Sequence, residues 1–201
     1  MRGFLLASGA FALFVSGQAY AAEKVDLARA EEIVSGRCFL CHGLEGESAS
    51  PVFPRLAGQH SEYIAKQLGE FKSGKRKSDT MKPQAEELTP AEMKALGSFF
   101  EAKKANARPV KDAELMAVGK YVFNRGNQFS GLPACASCHG KEGLGTANLP
   151  RLAGQYASYI ETQLTLFNQR ERTNDNAVMH AIVSKMSALE MAAVAAYISG
   201  K

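Results

Sequence analysis

Apolar residues recur at helical spacing in three pairs of places along this chain. One pattern covers Leu27 to Val34 and returns at Leu115 to Phe123; a second covers Tyr63 to Phe71 and returns at Tyr159 to Phe167. The third places Met93, Leu96, Phe99 and Phe100 on one helix face, and Met191, Val194, Ala195 and Ile198 on another. Thr89 and Ser187 precede these last helices, each followed three positions later by a glutamate, Glu92 and Glu190. That spacing predicts a capping box, in which the hydroxyl accepts from a free first-turn amide and the carboxylate reaches back to the cap. Pro90 suits the first helical position. No segment alternates convincingly as a strand, so the fold class expected is all-α.

The patterns come in pairs because the chain is duplicated. "PRLAGQHSEYIAKQL" from Pro54 returns as "PRLAGQYASYIETQL" from Pro150, and Phe71 and Arg76 recur as Phe167 and Arg172. The expected organisation is one domain over 23–104 and a second over 105–201, joined by the polar stretch from Glu101 to Asp112. Units of fewer than about a hundred residues often need a covalent or metal staple.

Residues 1–22 read as a secretory signal peptide, with Arg2 at the start, an apolar run from Phe4 to Val15 and a small-x-small site at Ala19 to Ala21. An uncleaved anchor over Gly3 to Ala22 is the rival, weakened by Ser8, Gly9, Ser16, Gly17 and Gln18. Export would place the mature chain in the periplasm. Its 23 basic and 20 acidic residues without Arg2 are too evenly balanced for a nucleic-acid partner. The run "KSGKRK" from Lys72 to Lys77 reads as a solvated loop or a small docking patch for an acidic partner.

All four cysteines lie in two copies of Cys-x-x-Cys-His: Cys38, Cys41 and His42, then Cys135, Cys138 and His139. On a helical turn, positions i, i+3 and i+4 share one face. Two thiols and an imidazole so placed suit haem c, with thioethers to the porphyrin vinyl groups and the histidine on the iron. A redox dithiol would leave both histidines unexplained and wants a thioredoxin-like strand pattern. A zinc site would have to join arms lying 97 residues apart in separate repeats. Two haem c groups are therefore expected.

The second axial ligand separates transport from catalysis. Met81 and Met179 stand eight residues before the capping Thr89 and Ser187, each in polar loop sequence able to fold over the far face of a haem. Met93, Met116, Met186 and Met191 fall on apolar stripes and read as core. His180 adjoins Met179 but matches Lys82 in the first half, so it is a weaker candidate; His60, replaced by Tyr156, reads as a surface or propionate-side residue. A thioether favours ferrous iron, and His/Met ligation of both irons describes an electron carrier.

With its two Cys-x-x-Cys-His sites, twin "PRLAGQ" phrases, Met81 and Met179 segments and closing "SFF" and "AYI" helices, the chain resembles the dihaem cytochrome c4 family over its whole mature length. "GLPACASCHGKEG" is similar to that family's second domain. The resemblance implies two class I cytochrome c folds related by a pseudo-twofold, haems close at the interface, and the carbonyls of Pro54 and Pro150 orienting His42 and His139. It also implies that Arg55, Arg151, Tyr63 and Tyr159 serve the propionates, helix core being the alternative for the tyrosines. It further implies an electron-transfer protein, not itself an enzyme, soluble or loosely membrane-associated, running from a quinol-oxidising complex to a terminal oxidase. The alternatives are an electron-accepting subunit beside a flavoprotein, as in flavocytochrome sulfide dehydrogenase, and, less favoured, a catalytic dihaem enzyme with an open distal site. The halves carry formal charges of +1 (14 basic, 13 acidic over 23–108) and +2 (9 basic, 7 acidic over 109–201), so net charge gives no polarity between them.

Overall fold

The computed structural model describes residues 25–108 and 110–201; the signal peptide expected over 1–22 lies outside the described residues. Helices account for the regular structure, as the periodicity predicts. In the first half they are α1 (Leu27–Ile33), α2 (Phe39–His42), α3 (Ser61–Lys72), α4 (Met81–Glu86) and α5 (Pro90–Glu101). The second half has α6 (Ala113–Arg125), α7 (Ala136–His139), α8 (Ala157–Asn168), α9 (Val178–Val183) and α10 (Ala188–Ser199). Among the described residues the only extended pairings are isolated bridges, Asn127 with Leu132 and Thr146 with Leu149.

Both capping boxes form. The Thr89 and Ser187 hydroxyls accept from the Glu92 and Glu190 amides at 3.2 Å, and those carboxylates accept from the cap amides at 2.9 and 2.8 Å. Each half buries its own apolar cluster. In the first, Ile33 and Val34 meet Ile64, Leu96 and Phe100; in the second, Val122 and Phe123 meet Ile160, Val194 and Ile198. Two separate cores follow directly from two copies of the apolar pattern.

The linker carries more than its polar composition suggests. Arg108 and Ser199 exchange bonds, the Arg108 amide to the Ser199 carbonyl at 2.8 Å and the Ser199 hydroxyl to the Arg108 carbonyl at 3.1 Å. Arg108 also lies over the Tyr156 ring at 5.4 Å. The linker is thereby tied to the end of α10 and to the start of α8.

Candidate functional site

In the first half a π-helical turn over Val34–Cys38 runs into α2, and Cys38, Cys41 and His42 follow at helical spacing. In the second, Cys135 caps α7, with Cys138 and His139 on the same short helix. Gly43 and Gly140 stop these helices at φ of 77° and 78°, a region L side chains avoid. The chain then folds back on itself. The Gly46 carbonyl accepts from the Leu56 and Ala57 amides, and the Gly143 carbonyl from those of Leu152 and Ala153, which fixes each "PRLAG" phrase beside its histidine.

That fixation has a chemical result. His42 Nδ1 bonds the Pro54 carbonyl at 2.8 Å and His139 Nδ1 bonds the Pro150 carbonyl at 3.2 Å. A carbonyl only accepts, so Nδ1 carries the proton and Nε2 presents its lone pair. Both imidazoles are buried, and burial pushes their pKa down, with the prolyl carbonyls partly opposing it. Neither Nε2 has a hydrogen-bond partner among the described residues. Each half therefore holds a neutral, oriented imidazole with one nitrogen to spare, which is what an axial ligand needs.

No two of the cysteines are joined as a disulfide among the described residues. Burial raises Cys38 and pushes Cys135 up to about 11, the opposite of what the nucleophile of a reactive dithiol requires. Among the described residues no three His, Cys, Asp or Glu side chains converge as a bare-metal site. The donor set fits a haem c in each half.

Met81 opens α4 and Met179 stands in the first turn of α9, both half-buried. This corrects the expectation of loop positions: short helices carry them, and the polar sequence forms the turns before those helices. Met179 packs against the second core. Met93, Met186 and Met191 are core as expected, whereas Met116 is only half-buried.

Arg55 is buried and spends its guanidinium on backbone carbonyls of Glu47, Asn106 and Gly154 at 3.0, 2.5 and 2.7 Å. Half-buried Arg151 donates to the Ala153 carbonyl at 3.2 Å. Neither forms an ion pair among the described residues; burial lowers the pKa of both, and at Arg55 the nearby Arg108 adds to that lowering while Glu47 only partly opposes it. They line one small polar cavity between the halves together with Gln59 and Gln155. Cations withdrawn from water without a paired counter-ion are costly, and an acidic group such as a haem propionate would relieve that cost.

Tyr63 and Tyr159 are not core. The Tyr159 hydroxyl accepts from Arg76 and the Tyr63 hydroxyl from Arg172, each at 3.0 Å and each across the interface. Arg76 also meets Gln163, so "KSGKRK" contains an interdomain tether in place of a wholly solvated run. His60 bonds the Leu144 carbonyl at 2.7 Å, and Tyr156 answers by donating to the Ser48 carbonyl at 2.5 Å. Both therefore belong to the interface. His180 bonds the Phe167 carbonyl at 3.0 Å and Arg170 at 3.1 Å, so both its nitrogens are engaged.

Ser48 and Gly145 escaped the sequence reading. Each lies six residues after the histidine of its Cys-x-x-Cys-His turn, and its amide bonds that histidine's carbonyl, at 2.8 and 2.9 Å. Ser48 is fully buried at φ 46°, its hydroxyl meeting the carbonyls of Cys41, Ser50 and Phe53. Equal spacing from two histidines was the available signal.

A family model described as Cytochrome c matches the chain twice, over residues 27–124 and 116–200. Cytochrome c4 of Pseudomonas aeruginosa is 36% identical over 200 residues, covering 98% of this chain and 98% of that protein. The crystal structure of reduced recombinant cytochrome c4 from Pseudomonas stutzeri matches with a TM-score of 0.83 at 33% identity, covering 88% of this chain and 99% of that chain. A thiosulfate dehydrogenase electron acceptor of Stutzerimonas stutzeri is 38% identical over 197 residues, covering 94% of this chain and 91% of that protein.

Proposed function

Because the chain belongs to the dihaem cytochrome c4 family and carries a covalent haem c in each half, we propose that it is a periplasmic one-electron carrier between a quinol-oxidising complex and a terminal oxidase. Each haem iron, when bound, takes up and gives back one electron. The chain's residues do the rest. Cys38 with Cys41, and Cys135 with Cys138, would attach the groups; His42 and His139 would hold the irons through imidazole nitrogen, and Met81 and Met179 through thioether sulfur. Pro54 and Pro150 hold the imidazoles in one tautomer and orientation, so little need rearrange when the charge changes. Arg55 and Arg151 would offer positive charge to the acidic edges, and Tyr63 and Tyr159 are held by the interdomain arginines Arg172 and Arg76.

The observation that carries this reading is the pair of buried histidines tied through Nδ1 and free at Nε2 in both halves. Two closed irons make a carrier, whereas one open iron would make an enzyme. The test is the optical spectrum in both redox states, with and without carbon monoxide. The carrier reading expects the weak ferric sulfur-to-iron band at the red end with the intensity of two haems, and no change with carbon monoxide. Uptake of carbon monoxide by either haem overturns it.

A second reading is favoured by the relative named as a thiosulfate dehydrogenase electron acceptor: the same two haems accept electrons from a sulfur-oxidising enzyme. Rapid reduction by a thiosulfate dehydrogenase, or co-purification with a flavoprotein, would move the assignment from free carrier to electron-accepting subunit.

A further inference from the structure

Val34 stands four residues before Cys38, while its counterpart Phe123 stands twelve before Cys135. The second half thus has an insertion between its first helix and its haem-attachment turn. The inserted loop is ordered by the Asn127–Leu132 bridge, by Asn127 donating to Glu190 at 2.8 Å and by Lys185 donating to the Gly131 carbonyl at 3.0 Å. At its tip Phe129 is 93% exposed.

Phe129 has apolar company. Val118 and Tyr121 on α6 are 41% and 64% exposed, and Leu189 at the start of α10 is 62% exposed. The Asn127–Glu190 bond brings the loop to that end of α10, and α6 crosses α10 where Gly119 faces Ala193. In the first half the two matching helix positions are charged. Aligning Phe123 with Val34 puts Arg29 where Val118 stands and Glu32 where Tyr121 stands, and Arg29 there bonds both Glu32 and Glu92 at 2.7 and 2.9 Å.

The rim reverses sign as well. Glu31 and Glu87 of the first half are replaced by Lys120 and Lys185, and Arg125 adds a further exposed cation. On this rim Glu114 is exposed, while Glu190 is occupied by its cap and Asn127. One duplicated surface is therefore acidic and ion-paired in the first half, and apolar with a basic rim in the second. A monomer's lone exposed apolar residues need no explanation, but a group beside a built insertion does.

We propose that this face of the second half, centred on Phe129 and Tyr121, is the docking surface for an electron-transfer protein presenting an apolar centre ringed by carboxylates. The proposal rests on the carrier reading above. Apolar centre to apolar centre, with cations against an acidic rim, gives a short-lived oriented complex beside the Cys135 attachment turn. A second copy fits poorly, since the acidic first-half face offers no exposed apolar centre in the matching place.

The test uses the mature dihaem protein on gold electrodes coated with mixed carboxylate- and methyl-terminated thiols, which reproduce the inferred partner chemistry, and with hydroxyl-terminated thiols for comparison. Tyr121→Ser combined with Phe129→Ser should lower the electron-exchange rate on the mixed coating roughly tenfold or more, with the optical spectrum and thermal unfolding unchanged. Glu31→Gln with Glu32→Gln should leave the rate within about twofold. An undiminished rate in the serine variant overturns the docking surface. So does a wild-type dimer in sedimentation that the serine variant makes monomeric, or binding to phosphatidylglycerol vesicles that the variant loses while keeping its electrode rate. Failure of the wild type to exchange electrons on any coating, although dithionite reduces both haems in solution, removes the carrier reading itself and the docking surface with it.

Discussion

The side-chain amide of Gln155 pairs with the main chain of Arg55 much as one strand residue pairs with another: the Arg55 amide donates to Gln155 Oε1 at 2.9 Å, and Gln155 Nε2 donates to the Arg55 carbonyl at 2.9 Å. Gln59 treats Arg151 in the same way at 2.8 and 2.9 Å. The last residue of each "PRLAGQ" phrase thus grips the second residue of the other, and the duplicated phrase is its own interface partner. Because each phrase also carries the prolyl carbonyl that orients a histidine, the grip couples the geometry of the two sites.

Gln155→Leu should cost about 2 kcal/mol, because it strands a buried amide and a buried carbonyl of Arg55. Thermal unfolding followed by near-ultraviolet dichroism should show a lower midpoint and, with Gln59→Leu added, two transitions in place of one. A single unchanged transition in the double variant would mean that the halves are held together by something else.

Arg76 and Tyr159 should show direct coupling across the interface. In a double-mutant cycle of Arg76→Ala and Tyr159→Phe, the interaction energy should be about 1 kcal/mol, the worth of one partly buried bond to a charged donor. A coupling within error of zero would assign both residues to their own halves. The Arg172 and Tyr63 cycle should give a similar value.

Met81→Ala and Met179→Ala should each remove about half of the red ferric band and open one iron to carbon monoxide, with the potential of that haem falling as the thioether is lost. Retention of the full band in either variant would exclude that methionine as a ligand.

How far the sequence alone carried depended on which residues were repeated. Helix positions, both capping boxes and the helical turns that carry Cys38 and His42 were legible, because their residues lie within a turn or two of one another along the chain, as Thr89 and Glu92 do. The interface was visible only as repetition. Nothing in a local window says that Gln155 seeks Arg55, a hundred residues away, or that Tyr63 faces Arg172 and is neither core nor at the surface. The methionine segments were misread for a different reason. Six-residue helices such as Met81–Glu86 are too short to show a period, so polar turn residues dominate their sequence.

Acid should weaken the first capping box over a defined range. The Thr89 amide, Arg29 and the Thr89 hydroxyl hold the Glu92 carboxyl down at about 2 from 4.5. The unfolded chain therefore takes up this proton before the folded chain does. The stability Glu92 supplies is complete above about 4.5 and is lost as pH falls through about 2. Glu92→Gln should flatten the pH dependence of guanidinium unfolding between about pH 5 and pH 2, leaving a protein about 1 kcal/mol less stable at neutral pH. Equal slopes in the two proteins would show that Glu92 is not held as the geometry indicates.

Gly119 should be the least replaceable residue of α6. A Cβ built there would lie 1.9 Å from the Ala193 carbonyl oxygen and 2.5 Å from its carbon, both backbone atoms of α10. Backbone within a packed helix cannot turn aside as a flexible side chain can, so the two helices would have to separate. In the first half Ala30 occupies the matching position and is fully buried, so the α1–α5 crossing already accommodates a methyl group. Gly119→Ala should therefore destabilise by about 3 kcal/mol through overpacking. Ala30→Gly should cost only about 1 kcal/mol through helix propensity, plus the loss of the buried methyl. Chemical denaturation of both variants checks the contrast. If Gly119→Ala proved no worse than Ala30→Gly, the two helix crossings would have the same spacing, and the close approach of α6 to α10 would be wrong.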